Sequence, residues 1–359
     1  ELEYGLSDCG VTVAAVDKER LERLVPVLES LPDLQCLVML EDLPSLPIMP
    51  RGNLQVCAWR EVVPPGQQAA IEPHAPSADD AVLIMYTSGT TGFPKGVVLT
   101  QLNIMSNMAS SKLRAIIQGI KPAGDAQPGT LINVPLFHAT GLISALLQGL
   151  GMGRKQVILQ GRWEPSEACR LIERHRLTQF IGVPTQSMEL AACEDFRQRD
   201  LRSLISIGGG GAAAPTRMVE SIDGLGRSAW NGYGLTETTA GIITIAGADY
   251  AARPQSCGKA QVLMDVRIAD SRGETAPIGT PGELVARGPF VFREYWGKPE
   301  ATAEAFFPGG WFRTGDLAMQ DKDGYFTILD RIKDIVVRGG ENISCAEVED
   351  VAYRYPGVS

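Results

Sequence analysis

The run Tyr86-Thr87-Ser88-Gly89-Thr90-Thr91-Gly92-Phe93-Pro94-Lys95-Gly96 is the densest group of chemically useful residues in the chain. Four hydroxyls and the backbone N–H groups of a glycine-bearing loop can converge on an anion there, and Lys95 adds a point charge. Such a loop suits a polyphosphate. It is not a Walker A loop, because G-x-x-x-x-G-K-[ST] is absent from the chain. Further along, Tyr233-Gly234-Leu235-Thr236-Glu237 joins an aromatic face, a glycine that admits close approach, a hydroxyl and a carboxylate. Gly208 to Gly211 suit backbone approach to a flat ring.

These groups need elements to position them, and the hydrophobic pattern supplies candidates. Val11–Val16 and Cys36–Leu40 are strand-like on either side of an amphipathic Lys18–Glu29 helix. Ala81–Tyr86 is a buried-type strand leading into the Thr87–Gly92 loop, followed by strand Val97–Leu99 and helix Gln101–Ile117. Strands at Leu131–Val134, Gln156–Leu159, Thr178–Ile181 and Leu204–Ile207 alternate with helices at Gly141–Leu150, Glu164–His175 and Pro184–Glu194. The four glycines are expected as a loop after the last of these strands. This alternation predicts an α/β fold of mainly parallel sheets covered by helices. After Gly258 the pattern changes to alternating strands at Val262–Ile268, Gly282–Arg287 and Gly324–Leu329, an antiparallel, barrel-like segment of about residues 258–330. Asp334–Arg338 and Cys345–Tyr353 are expected as the first strand and helix of a new α+β unit.

Composition excludes several classes. The 359 residues carry 33 Lys+Arg against 42 Asp+Glu, a formal charge of −9, which argues against a protein wrapped by nucleic acid. With 44% hydrophobic and 21% charged residues, wholesale disorder is excluded. Seven dispersed cysteines without a C-x-x-C pair fit reduced, packing thiols. The longest apolar run, Ala139–Leu150, is too short to span a bilayer. No H-E-x-x-H, G-x-S-x-G or G-x-G-x-x-G motif is present, so zinc, serine-hydrolase and dinucleotide chemistry lack support.

The loop at 86–96 resembles the phosphate-binding signature of the adenylate-forming superfamily, which includes acyl-CoA synthetases, luciferases and peptide-synthetase adenylation domains. Pro135-Leu136-Phe137-His138, Gly208 to Pro215, Asn231 to Glu237, Trp311 to Leu317 and Gly324 to Asp334 support it in order along the chain. The resemblance implies that Thr87, Ser88, Gly89, Thr90, Thr91, Gly92 and Lys95 bind the ATP phosphates. Gly210, Gly211, Gly232, Tyr233, Gly234, Thr236 and Ile328 would border the nucleotide, with Tyr233 near adenine. Asp316, expected in a Thr-Gly-Asp turn, and Arg331 would hold the ribose. Glu237 would help hold Mg2+, a hard cation suited to carboxylate and phosphate oxygens. Lys95, Thr236, Glu237 and His138 are the implied catalytic residues. His138, Gly141 and Gly209 would face the acid, Gly339 and Gly340 the thiol channel, and Asp330 would be the hinge.

The implied enzyme is an acid–thiol ligase using ATP, Mg2+ and coenzyme A. Amino-acid-activating relatives usually place an Asp near His138; Pro135 to Leu142 has none, which favours a simple carboxylic acid. Small and aliphatic residues at Val183–Ala192 and Thr238–Ile245 are expected to line its pocket and suit a fatty chain. An aryl-acid ligase and a catalytically inactive nucleotide-binding relative are the alternatives. The chain starts at Glu1 without a signal-like segment and stops at Ser359. Both ends are expected to be cuts: residues 1–330 would be part of a large AMP-binding domain, and 331–359 the start of a lid that supplies a second lysine. The chain alone is then expected to form acyl-adenylate poorly. A cytoplasmic location is expected, with peripheral or organellar targeting and oligomeric state left open.

Overall fold

The computed structural model describes residues 2–40, 52, 54–64, 75–87, 93–117, 127–211 and 214–333, plus the backbones of two short strands beyond. The chain divides into two compact units, one of Glu1–Ser77 with Tyr86–Gly96, the other of Ala78–Met85 with Val97–Ser359. In the first unit, β1 (Val13–Val16), β2 (Cys36–Met39) and β3 (Gln55–Ala58) form a parallel sheet. Leu21, Leu24, Leu37 and Met39 make its core. The helix expected over 18–29 is α-helical only over Lys18–Leu24 and continues as a 3-10 turn, Val25–Ser30. Pro26 lacks the N–H that an α-turn needs. Strands β4 (Ala81–Thr87) and β5 (Lys95–Thr100) flank the phosphate-type loop, whose Ser88–Gly92 lie outside the described residues.

The second unit is built on a seven-stranded sheet. Its strands are β6 (Gly129–Ile132), β7 (Lys155–Ile158), β8 (Gln179–Gly182), β9 (Ser206–Gly210), β10 (Ser228–Leu235), β11 (Ala240–Ala246) and β12 (Lys259–Ala260), in the order β12-β11-β10-β9-β8-β6-β7. The five strands from β10 to β7 run parallel, and β11 and β12 are antiparallel. Short apolar strands with both faces covered account for this arrangement. On one face Leu131, Phe180, Ile207, Ala229 and Ile245 pack against residues of helices Pro165–His175, Pro184–Ala192 and Thr216–Gly224. On the other, Ile132, Ile181 and Trp230 meet Ala145 and Leu146.

Two local expectations change here. The glycine run is not a loop: Gly208, Gly209 and Gly210 are the last three residues of β9, and Gly211 turns, at φ 91°. The stretch expected as an α-helix from Gly141 is a π-helix over Thr140–Leu147, then α-helical over Gln148–Gly151. Its closing bond, from the N–H of Gln148 to the carbonyl of Ile143, spans five residues. An unbroken apolar run carries no period that separates the two helix types.

The antiparallel segment consists of β13 (Asp265–Ala269), β14 (Gly282–Arg287), β15 (Glu294–Tyr295), β16 (Phe306–Phe307), β17 (Trp311–Gln320) and β18 (Phe326–Arg331). Four of these run β13-β14-β17-β16, β18 adds to β17, and β15 pairs with Val97–Val98 of β5. Thr314-Gly315-Asp316 is an interior irregularity of β17, not a turn between strands. Gly315 has φ 74°, and the register with β18 shifts at Leu317 and Ala318. Thr314 Oγ1 donates to the Leu284 carbonyl at 2.7 Å and the Gly315 N–H to Glu283 Oε1 at 3.1 Å, which fixes the distortion. Beyond β18, β19 (Val336–Arg338) and β20 (Glu341–Ile343) form a two-stranded antiparallel pair. The helix expected at Cys345–Tyr353 lies outside the described residues. Among the described residues no helix is long and apolar enough to cross a membrane.

Candidate active site

Register places the carboxyl ends of four parallel strands in line. Ile132 of β6 pairs with Ile181 of β8, Gly182 with Gly209 of β9, and Gly210 with Gly232 of β10. Ligands of open α/β sheets bind along such an edge. A β-carbon at Gly208, Gly209 or Gly210 would overlap the carbonyl oxygen of Trp230, Gly182 or Gly232 respectively. The glycines therefore let three strands approach closely and leave a flat patch bare of side chains. A β-carbon at Gly211 would lie 4.0 Å from Thr140 Oγ1, so β9 ends beside the π-helix.

His138 stands just before that helix. Its N–H donates to the Pro135 carbonyl at 3.2 Å, its own carbonyl accepts from the Leu142 N–H at 3.0 Å, and its exposed ring lies 4.6 Å from that of Phe137. Gly141 is required by close packing, since a β-carbon would overlap the Pro135 carbonyl. Asn133 and Gln186, whose side-chain amides meet at 3.0 Å, tie the segments after β6 and β8.

Tyr233, Asp316 and Arg331 come together from three strands. The Tyr233 hydroxyl donates to Asp316 Oδ2 at 2.5 Å, and Arg331 Nε lies 3.4 Å from Asp316 Oδ1. Asp316 is 4% exposed. Burial, reinforced by the Asp316 charge, pushes the Tyr233 phenol well above its usual range, so it stays a donor. Ile328 packs on the same apolar cluster as Tyr233. Asp330 precedes Arg331 on β18, opposite Leu317, and its Oδ1 accepts the Arg331 N–H at 2.7 Å.

Thr236 and Glu237 sit in a single 3-10 turn, Thr236–Thr238, at the end of β10. The turn is held by Thr238 Oγ1, which accepts from the Leu235 N–H at 2.8 Å, and by Thr239, whose hydroxyl donates to the Phe290 carbonyl at 2.7 Å. The Glu237 carbonyl accepts from the Phe292 N–H at 2.8 Å. Tyr295, which sequence reasoning missed, donates its hydroxyl to Glu237 Oε1 at 2.8 Å. Burial first and the Glu237 charge second raise the Tyr295 phenol above its usual range. Among the described residues no three His, Cys, Asp or Glu side chains converge as metal ligands. A lone carboxylate in a polar turn fits a hard cation that brings phosphate oxygens with it.

In the first unit, Lys95 opens β5 and its carbonyl lies 3.5 Å from Thr87 Oγ1. Ser88, Gly89, Thr90, Thr91 and Gly92 fall outside the described residues, as do Gly339 and Gly340. The aliphatic residues expected to line an acyl pocket are largely spent on packing. Leu190 and Ile245 belong to the core on the helix-covered face, Ile242 and Ile243 to the core near β13–β18, and Thr238 and Thr239 are buried. Strands alternate their faces and helices bury one stripe, which a list of residue types does not reveal.

The feruloyl-CoA synthase of Amycolatopsis sp is 39% identical over 300 residues, 82% of this chain and 59% of that protein. The medium/long-chain-fatty-acid–CoA ligase FadD8 of Mycobacterium tuberculosis is 32% identical over 99% of this chain and 60% of its own length. The structure of the O-succinylbenzoate coenzyme A synthetase of Bacillus subtilis, in complex with ATP and magnesium ion, superposes with a TM-score of 0.76 at 31% identity, over 94% of this chain and 68% of that one. The chain thus spans about three fifths of the length of these curated relatives. Residues 1–296 match the family described as AMP-binding enzyme, and the chain belongs to that family.

Proposed function

We propose that the protein is an ATP-dependent acid–CoA ligase. In the first half-reaction a carboxylate oxygen attacks the α-phosphorus of ATP and pyrophosphate leaves. In the second, the coenzyme A thiolate attacks the acyl carbon and AMP leaves. The observation that carries the reading is the meeting of Tyr233, Asp316 and Arg331 beside the turn bearing Glu237, at the carboxyl edge of the sheet. Asp316 and Arg331 would hold the ribose, and Tyr233 would border adenine. Lys95, Thr87, Thr91 and the rest of the loop would cradle the phosphates. Mg2+ at Glu237 would supply charge neutralisation, the main requirement of a phosphoryl-type transition state. Thr236 would meet phosphate, and His138 the carboxylate. Asp330 would serve as the hinge of a lid beginning at 331, and Gly339 and Gly340 would border the thiol channel.

The similarity to FadD8 supports a fatty acid. A second reading, an aryl acid, is supported by the similarity to a feruloyl-CoA synthase. Release of pyrophosphate by the full-length protein, with ATP, Mg2+ and a panel of acids, tests the proposal. An acid-dependent signal, and thioester on adding coenzyme A, are expected. Nucleotide binding with no turnover for any acid would point instead to an inactive relative.

A further inference from the structure

We propose that Tyr4 and Asp8 are positioning residues for ATP: from helix Leu2–Asp8 they hold Tyr86 and Phe93, and through these set Thr87 and Lys95, the residues assigned above to the phosphates. This rests on the ligase reading and deepens it. Tyr4 and Asp8 stand four apart in the helix, which puts both on one face. The Tyr86 hydroxyl, 78 positions from Asp8, donates to Asp8 Oδ2 at 2.7 Å. The helix backbone lies along the same ring, since a β-carbon at Gly5 would come 3.9 Å from Tyr86 Cε2. The Tyr4 ring meets Tyr86 edge-on, with centroids 6.3 Å apart, and stacks on Phe93 at 5.0 Å with 21° between the planes. All of these residues belong to the first compact unit.

These contacts grip the chain just before Thr87 and just before Lys95. Tyr86 precedes Thr87 on β4, and side chains alternate faces along a strand, so a Tyr86 ring fixed on one face aims Thr87 from the other. Phe93 is 75% exposed, so the Tyr4 stack is what orders its ring. Pro94 has a fixed φ and keeps the residue before it extended, so the placement of Phe93 passes to Lys95 with little play. Thr87 Oγ1 and the Lys95 carbonyl are 3.5 Å apart at the two ends of this grip. Burial first and the bond to Asp8 second raise the Tyr86 phenol above its usual range, so at neutral pH its hydroxyl remains a donor. Among the described residues the Tyr4, Tyr86 and Phe93 rings join none of the hydrophobic cores, and helix Leu2–Asp8 has no fully buried residue. The cluster therefore adds little to core stability; what it sets is the spacing of Thr87 and Lys95.

Calorimetry of the full-length protein with ATP and Mg2+, and separately with AMP, tests the assignment, because AMP lacks the outer phosphates. Tyr4→Ala, which removes the stacked ring, and Tyr86→Phe, which deletes a single oxygen, should each weaken ATP binding roughly five-fold or more, since a small misplacement of the binding groups is costly. AMP binding should stay unchanged in both. Tyr4→Phe keeps the stack and Asp8→Asn keeps an acceptor for Tyr86, so both should bind ATP within about two-fold of the wild type. In a Lys95→Met background, Tyr4→Ala should cost less than about two-fold more, because most of what it positions is gone. Equal losses of ATP and AMP binding, or ATP binding by Tyr4→Ala and Tyr86→Phe at the wild-type level, would overturn the inference while leaving the ligase reading intact. A wild-type protein that binds no ATP would overturn both.

Discussion

Replacing Tyr233 by Phe removes one oxygen and keeps the ring, and it isolates the bond that holds Asp316. The 2.5 Å contact is a charge-assisted O–H···O bond to a carboxylate that is only 4% exposed. Bonds of this kind contribute about 1.5–3 kcal/mol. The ion pair with Arg331 is at 3.4 Å with a side chain 52% exposed, where screening leaves about 1 kcal/mol or less. Arg331 cannot compensate, so Tyr233→Phe should destabilise the second unit by about 2 kcal/mol, read from urea unfolding curves. Asp316→Ala should cost a similar amount by removing the acceptor of the buried Tyr233 phenol. Because both changes delete the same interaction, the double variant should be about 2 kcal/mol more stable than the sum of the singles implies. Calorimetry should show AMP binding to Tyr233→Phe weakened about ten-fold, since Asp316 then loses its fixed orientation toward the ribose. Effects that add to within about 0.5 kcal/mol would show that the two groups do not cooperate and would refute the reasoning.

Other consequences are independent of that pair. Gly209→Ala would drive a methyl group into the Gly182 carbonyl, and with backbone on the receiving side it should cost at least about 3 kcal/mol or abolish soluble expression. Lys95→Met should weaken ATP binding far more than AMP binding, because the ammonium is proposed to meet the outer phosphates; equal losses in calorimetry would contradict this role. Tyr295→Phe should leave the Phe292, Phe306 and Phe312 ring cluster in place yet raise the Mg2+ concentration for half-maximal pyrophosphate release several-fold, as the Glu237 carboxylate is freed. Alkaline pH should destabilise the fold. Burial pushes the Cys257 thiol and the Tyr250 phenol up to about 12, so the unfolded chain loses these protons first. Stability should hold below pH 9 and then fall with rising pH, by about 1.4 kcal/mol per unit for each group caught between its two values. Tyr250→Phe should flatten the slope between pH 10 and 12 in urea titrations.

How far the site could be read from the residues depended on whether a signal was local. The phosphate-type loop, the Tyr233–Glu237 pentapeptide and the Trp311–Leu317 stretch each concentrate useful side chains within a dozen residues. Strand β5 and helix Gln101–Ile117 were equally plain, because a β-branched run and a helical period are also local. The bond between Tyr233 and Asp316 spans 83 positions and that between Tyr295 and Glu237 spans 58, and no pattern within either segment announces it. Both arise because β10 and its following turn lie against strands added much later in the chain.

The glycine run shows the same limit from the other side. Four consecutive glycines suggest a loop when only backbone freedom is weighed. Here three of them are strand residues, selected because neighbouring carbonyls occupy the space of a β-carbon. That change of role also changes the substrate argument. As a loop, the run would be a pliable rim that could yield to a long chain. As part of a paired sheet it is a fixed floor, held in register by β8 and β10. Meanwhile Ile242, Ile243, Ile245 and Leu190, whose types suggested an apolar tunnel, already serve the protein's own cores. Residue type alone counted them toward a fatty substrate; the face on which each side chain lies removes them.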